Sequence, residues 1–121
     1  MTVSPETKAL RLYMAKEAKK ALPATIVERA KHHILDTIAA MVSGSRLKPG
    51  IGASNFVAGL GGKAEASVVG TRLRLPAVHA ALANGIAAHA DETDDSNPTA
   101  HTHPGCGTVA AALAAAGKVR A

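Results

Sequence analysis

Aromatic residues are nearly absent from this chain: Tyr13 and Phe56 are the two it has, and there is no tryptophan. Lys and Arg outnumber Asp and Glu by 14 to 9, but a nucleic-acid surface would interleave those charges with rings for base stacking, which two aromatics cannot supply. Scattered lysines of this kind fit solvated helix faces. The single cysteine, Cys106, excludes an internal disulfide framework and a paired-cysteine metal knuckle. No apolar run reaches the roughly 18 residues of a membrane span, and no charged segment leads into an apolar one near Met1. The expectation is a cytoplasmic chain that binds neither nucleic acid nor membrane.

What the chain has instead is alanine, 27 of its 121 residues and nearly half of its apolar 47%. The larger apolar side chains that remain make a modest core for this length. Small residues let helices approach closely, so the composition predicts helix packed on helix. So thin a core predicts dependence on a partner or a place in something larger.

Punctuation and periodicity predict an all-α fold of four or five helices with glycine-rich turns, as one partial helical domain over residues 1–121 with no internal repeat and no linker. Ser4-Pro5 reads as a cap and first helical position, and Leu10, Tyr13, Met14 and Ala18 then share a stripe. After Pro23, Thr25 and Glu28 have the spacing of a capping box. Val27, Ala30, Ile34, Ile38, Met41 and Val42 continue with helical period to Ser43-Gly44. A third helix starts at Pro49 and ends at Gly59, Gly61 and Gly62, and residues 66–75 read as extended or irregular chain. Pro76 opens a fourth helix whose buried stripe is read as Val78, Leu82 and Ile86, with His79 on its surface. The last helix is expected from about Gly107 through Val109 and Leu113 to Gly117; Cys106 at its start reads first as a small buried residue where Gly105 and Gly107 also demand small volume, with a thiol pKa depressed by the helix dipole as the alternative.

Two stretches invite a chemical reading. Gly59 to Ala64 has the spacing of a dinucleotide fingerprint, but no strand precedes it and no acid near residue 80 would hold a ribose, so it reads as a helix stop. Residues 89–105 concentrate four carboxylates (Asp91, Glu92, Asp94, Asp95) and three imidazoles (His89, His101, His103). A calcium loop counted from Asp91 fails, because Ser96 stands where its glycine belongs and no glutamate closes it. A solvated acidic loop, a transition-metal site on His89, His101, His103 and a carboxylate, and metal-free acid–base catalysis remain. In the last, His103 carries the proton and Asp95 or Glu92 supports it.

The ordered set Gly61-Gly62-Lys63-Ala64-Glu65-Ala66-Ser67-Val68-Val69-Gly70-Thr71, Arg74-Leu75-Pro76-Ala77, Ala80-Ala81-Leu82-Ala83-Asn84-Gly85-Ile86-Ala87-Ala88-His89, Asp94-Asp95-Ser96 and His103-Pro104-Gly105 resembles the MmgE/PrpD family. Ile34-Leu35-Asp36-Thr37-Ile38-Ala39 before Ser43-Gly44 is similar as well. That family includes 2-methylcitrate dehydratase, cis-aconitate decarboxylase and iminodisuccinate epimerase. The resemblance implies the N-terminal part of a large helical domain, a smaller α/β domain later in the chain, and a homodimer formed through helical faces. It also implies metal-free, cofactor-free elimination, decarboxylation or epimerisation of a small polycarboxylate. Carried over, it makes His103, Glu92 and Ser96 catalytic and Asp94, Asp95, His89 and His101 substrate-binding, with no metal ligand. Glu92 stands where several members have aspartate, and Thr93 where an aromatic is common. The family's later basic and tyrosine residues complete its site, so the 121 residues alone are expected to be inactive; a non-catalytic helical association module is the alternative. Arg72 and Arg74 are the nearest cations in sequence for the substrate's charge.

Overall fold

The computed structural model describes residues 3–120. Five helices and one minimal sheet follow in the order α1 (Pro5–Glu17), α2 (Ala24–Gly44), α3 (Lys48–Leu60), β1 (Ala66–Ser67), β2 (Arg74–Leu75), α4 (Ala77–Ala88) and α5 (Pro104–Arg120). The fold is thus all-α in substance, and no described helix is long and apolar enough to cross a membrane.

Helix α1 begins as its sequence dictates: the Ser4 side chain accepts from the Thr7 N–H, and Pro5 occupies the first turn, where a missing N–H costs nothing. Its apolar stripe, however, stays exposed, and none of its residues is buried. The capping box predicted at Thr25 and Glu28 does not form. Pro23 stands at the cap without a side-chain bond, Thr25 lies inside α2, and Glu28 pairs with Lys31 at 2.7 Å on the helix surface. Only the C-terminal part of α2 is buried, through Thr37, Ala40, Met41 and Gly44.

Helix α4 is the centre of the packed region and contacts α5, α2 and α3. Its buried residues are Ala80, Ala83, Asn84, Ala87 and Ala88. Val78, Leu82 and Ile86, predicted as the buried stripe, are exposed instead, Val78 to 78%. Both sets recur at helical spacing, so period alone does not choose between them. Three helices crowding one demand close backbone approach, and only the small face permits it. At the α2–α4 crossing a Cβ on Gly44 would overlap the Ala87 carbonyl oxygen.

Strand β1 pairs antiparallel with β2, Ala66 opposite Leu75 and Ser67 opposite Arg74. Buried Asn84 ties this hairpin to α4: its Oδ1 accepts from the Val69 N–H at 2.8 Å and its Nδ2 donates to the Ser67 carbonyl at 3.1 Å. Glu65 Oε2 accepts from the Ala77 N–H at 3.1 Å, closing the start of α4. The core then falls into two clusters. One gathers Ala53, Val57, Ala66, Val68, Leu75, Ala80, Ala83 and Ala114. The other gathers Met41, Ala88, Val109 and Ala110 beneath the polar segment. His79, expected on the surface, is half-buried, and its Nδ1 has no hydrogen-bond partner among the described residues.

Candidate acid–base site

Residues 89–103 leave helix α4 at His89 and rejoin regular structure at Pro104. The turn-forming composition of the stretch explains the break. Glu92 and His101 adopt left-handed backbone, φ +56° and +50°, and an isolated bridge pairs Asn97 with Thr102. Helix α5 starts at Pro104, earlier than the predicted Gly107, because proline fits a first helical position and Asp95 Oδ1 accepts the Gly105 N–H at 2.7 Å.

Asp94 is the buried acid of the segment, its side chain wholly shielded from solvent. Both carboxylate oxygens lie 3.2 Å from His89 Nδ1, and Oδ1 lies 3.5 Å from His103 Nδ1. The two rings tilt toward one another with centroids 5.0 Å apart. A buried carboxylate needs partners: His89 Nδ1 lies at hydrogen-bond distance, and the His103 ring stands beside it at the longer ion-pair distance. Where a ring carries its proton on Nδ1 toward Asp94, its Nε2 keeps the lone pair that a general base requires.

The other predicted residues take different places. Asp95 sits at the start of α5, as above. Glu92 and Ser96 are exposed, and Ser96 lines an open groove of about 490 Å³ with His33, Asp95, Asn97, Pro98 and Pro104. His101 is exposed and makes no side-chain hydrogen bond among the described residues. A larger hollow, about 510 Å³, runs along α1 between Val3, Lys8, Arg11, Leu12, Met14 and Ala15, and offers no acid or imidazole.

Sequence reasoning missed how the segment is fastened. Asp91 accepts from Ser43 Oγ on α2 and from Thr93 Oγ1, and these two bonds, Ser43's first, hold its carboxyl below the usual range. Nothing in local spacing announces a partner 48 residues away. Cys106 is half-buried against the second core cluster, in line with a small packed residue and not with an activated thiol. Its thiol is pushed above its ordinary value, by burial first and then by the Asp94 charge, and the Gly107 amide at the helix start is too weak to reverse this. The Cys106 Sγ donates to the His103 carbonyl at 3.1 Å.

Donor atoms of His89, Asp94 and Cys106 lie within 4.8 Å of one another, a nitrogen, oxygen and sulfur set of the kind that takes a borderline transition metal. Cations are scarce at the groove: none of its lining residues is Lys or Arg. Arg72 and Arg74 lie at the hairpin, where Arg74 Nη2 donates to the Glu65 carbonyl at 3.2 Å.

No curated protein and no solved structure matches the chain. A family model does: that of the MmgE/PrpD N-terminal domain matches residues 8–121.

Proposed function

The chain belongs to the MmgE/PrpD family, and on that premise we propose that it contributes the acid–base half of a metal-free lyase site acting on small polycarboxylates, of the 2-methylcitrate dehydratase kind. The observation that carries the reading is Asp94, buried and facing the Nδ1 atoms of both His89 and His103. Removing a proton from a carbon beside a carboxylate requires a base with a free lone pair at neutral pH, and an imidazole oriented through its other nitrogen is such a base. In a dehydration, His103 Nε2 takes that proton, the C–C double bond forms, and the hydroxyl leaves as water with a proton from a second acid. Exposed Glu92 is the carboxylate proposed for that proton, and Ser96 in the groove the hydroxyl that orients substrate. His89 shares Asp94 and completes the pair.

In this proposal the cations that hold the substrate's carboxylates come from outside the groove, through a second copy or a further domain, and the 121 residues alone are inactive. Exposed apolar side chains on α1 and α2, among them Leu10, Tyr13, Met14, Ile34 and Leu35, favour association through helical faces into a homodimer. The same faces support the second reading, a non-catalytic association module.

The test is turnover of 2-methylcitrate and related polycarboxylates by the protein in its full assembly. His103→Ala is expected to lower kcat by roughly 10²-fold or more; unchanged kcat removes His103 from the mechanism. An assembled dimer inert toward every such substrate favours the module. Stoichiometric metal in elemental analysis of active protein would overturn the metal-free reading in favour of the His89, Asp94 and Cys106 donor set.

A further inference from the structure

We propose that Asp95 is a positioning residue, which holds His103 against Asp94 by capping α5 from outside the helix, rather than a ligand for substrate. This rests on the acid–base role proposed above for His103. Pro104 has no N–H, so Gly105 carries the first free amide of α5, and Asp95 Oδ1 takes it at 2.7 Å across ten residues of sequence. A carboxylate at this place is favoured by the orphan amide and by the helix dipole. His103 directly precedes Pro104, whose ring allows its backbone little freedom. Fixing the Gly105 amide therefore fixes the chain two residues back, and with it the direction from which the His103 ring reaches Asp94.

The surroundings leave this arrangement little room to shift. A Cβ at Gly105 would collide with Asp95 Oδ1 and would stand 2.6 Å from Thr37 Oγ1. Thr37 is fully buried, and its hydroxyl donates to the His33 carbonyl at 2.9 Å. The start of α5 is thus clasped between the loop acid and α2. The other end of the loop is tied to α2 as well, through Asp91 and Ser43. The four neighbouring acids divide accordingly: Asp91 and Asp95 fasten the segment, Asp94 between them meets the imidazoles, and Glu92 stays exposed.

Asp95 also lines the groove, so its charge and its acceptor oxygen have to be separated. Asp95→Asn and Asp95→Ala remove the same charge, but only asparagine keeps an acceptor for Gly105. In the whole protein, followed by NMR, Asp95→Asn is expected to preserve the slow exchange of the Gly105 amide. Asp95→Ala is expected to speed that exchange by about fivefold, the equivalent of one lost cap. The groups facing His103 are Asp94, His89 and Cys106, and drift of the ring from Asp94 changes the surroundings that its ring resonances report. Those resonances are therefore expected to keep their parent positions in Asp95→Asn and to move in Asp95→Ala. Equal behaviour of the two variants in both readouts overturns the proposal. So does an asparagine variant with an undisturbed His103 and turnover as low as that of alanine, since the charge would then be what matters. If Asp95→Ala does not fold, Asp95→Asn still decides, because a fast Gly105 amide in it refutes the cap. Neither NMR readout needs turnover, so an inert parent protein showing the expected contrast counts against the lyase reading alone.

Discussion

Helices α1 and α4 both carry apolar residues at helical spacing, yet α1 buries nothing and α4 is the hub that α2, α3 and α5 surround. The difference lies in side-chain size. Helix α4 presents Ala80, Ala83, Ala87 and Ala88 inward, and its neighbours approach to backbone contact. Helix α1 presents Leu10, Tyr13 and Met14, each about three-fifths exposed, to no described partner. Alanine supplies most of the α4 face that its neighbours meet, while the larger apolar side chains of α1 and of the opposite α4 stripe lie exposed. That reverses the usual assumption, under which Val78, Leu82 and Ile86 would have been inside.

The contrast is open to attack by mutation, with urea unfolding as the measurement. Met41→Ala removes the largest fully buried side chain and is expected to cost about 2–5 kcal/mol. If it costs no more than Leu12→Ala in α1, the packed region has been misplaced. Ala87→Leu, which adds bulk where α2 crosses α4, is expected to cost about 1–3 kcal/mol by overpacking. A neutral result would mean that the α2–α4 approach is looser than the Gly44 contact requires. Val78→Ala and Leu12→Ala, at exposed sites of both helices, should each stay within about 0.5 kcal/mol in the unassembled chain. A larger loss for Leu12→Ala only at concentrations where the protein associates would sharpen the comparison by identifying α1 as interface.

The smallest effect concerns pH and the tie between α2 and the polar segment. The Asp91 carboxyl is held below its usual range by Ser43 and Thr93, so its contribution is present above the unfolded value and fades as pH falls through the lowered folded one. Ser43→Ala should move the Asp91 midpoint upward, observable by carboxyl NMR, and flatten the acid limb of the stability profile. An unmoved midpoint would show that the segment is fastened by other means.

The crowding of acids and imidazoles in residues 89–105 was legible in the sequence, but which acid meets which partner was not. Asp91, Glu92, Asp94 and Asp95 are alike in sequence, and their partners are distant or depend on loop path: Ser43 on α2, the Gly105 amide on α5, and two rings that meet only when the loop folds back. His101 shows the same limit from the other side: close to His103 in sequence, it is exposed and takes no part in the hydrogen bonds around Asp94.

By itself the sequence determined the helical class, the family, the breaks at proline and glycine, and the place where acid–base groups concentrate, because each follows from composition, local propensity or an ordered set of motifs. Tertiary structure alone decided which stripe of α4 faces inward and which carboxylate is buried. Those outcomes depend on how closely separate segments approach, and a linear pattern carries no distances between them.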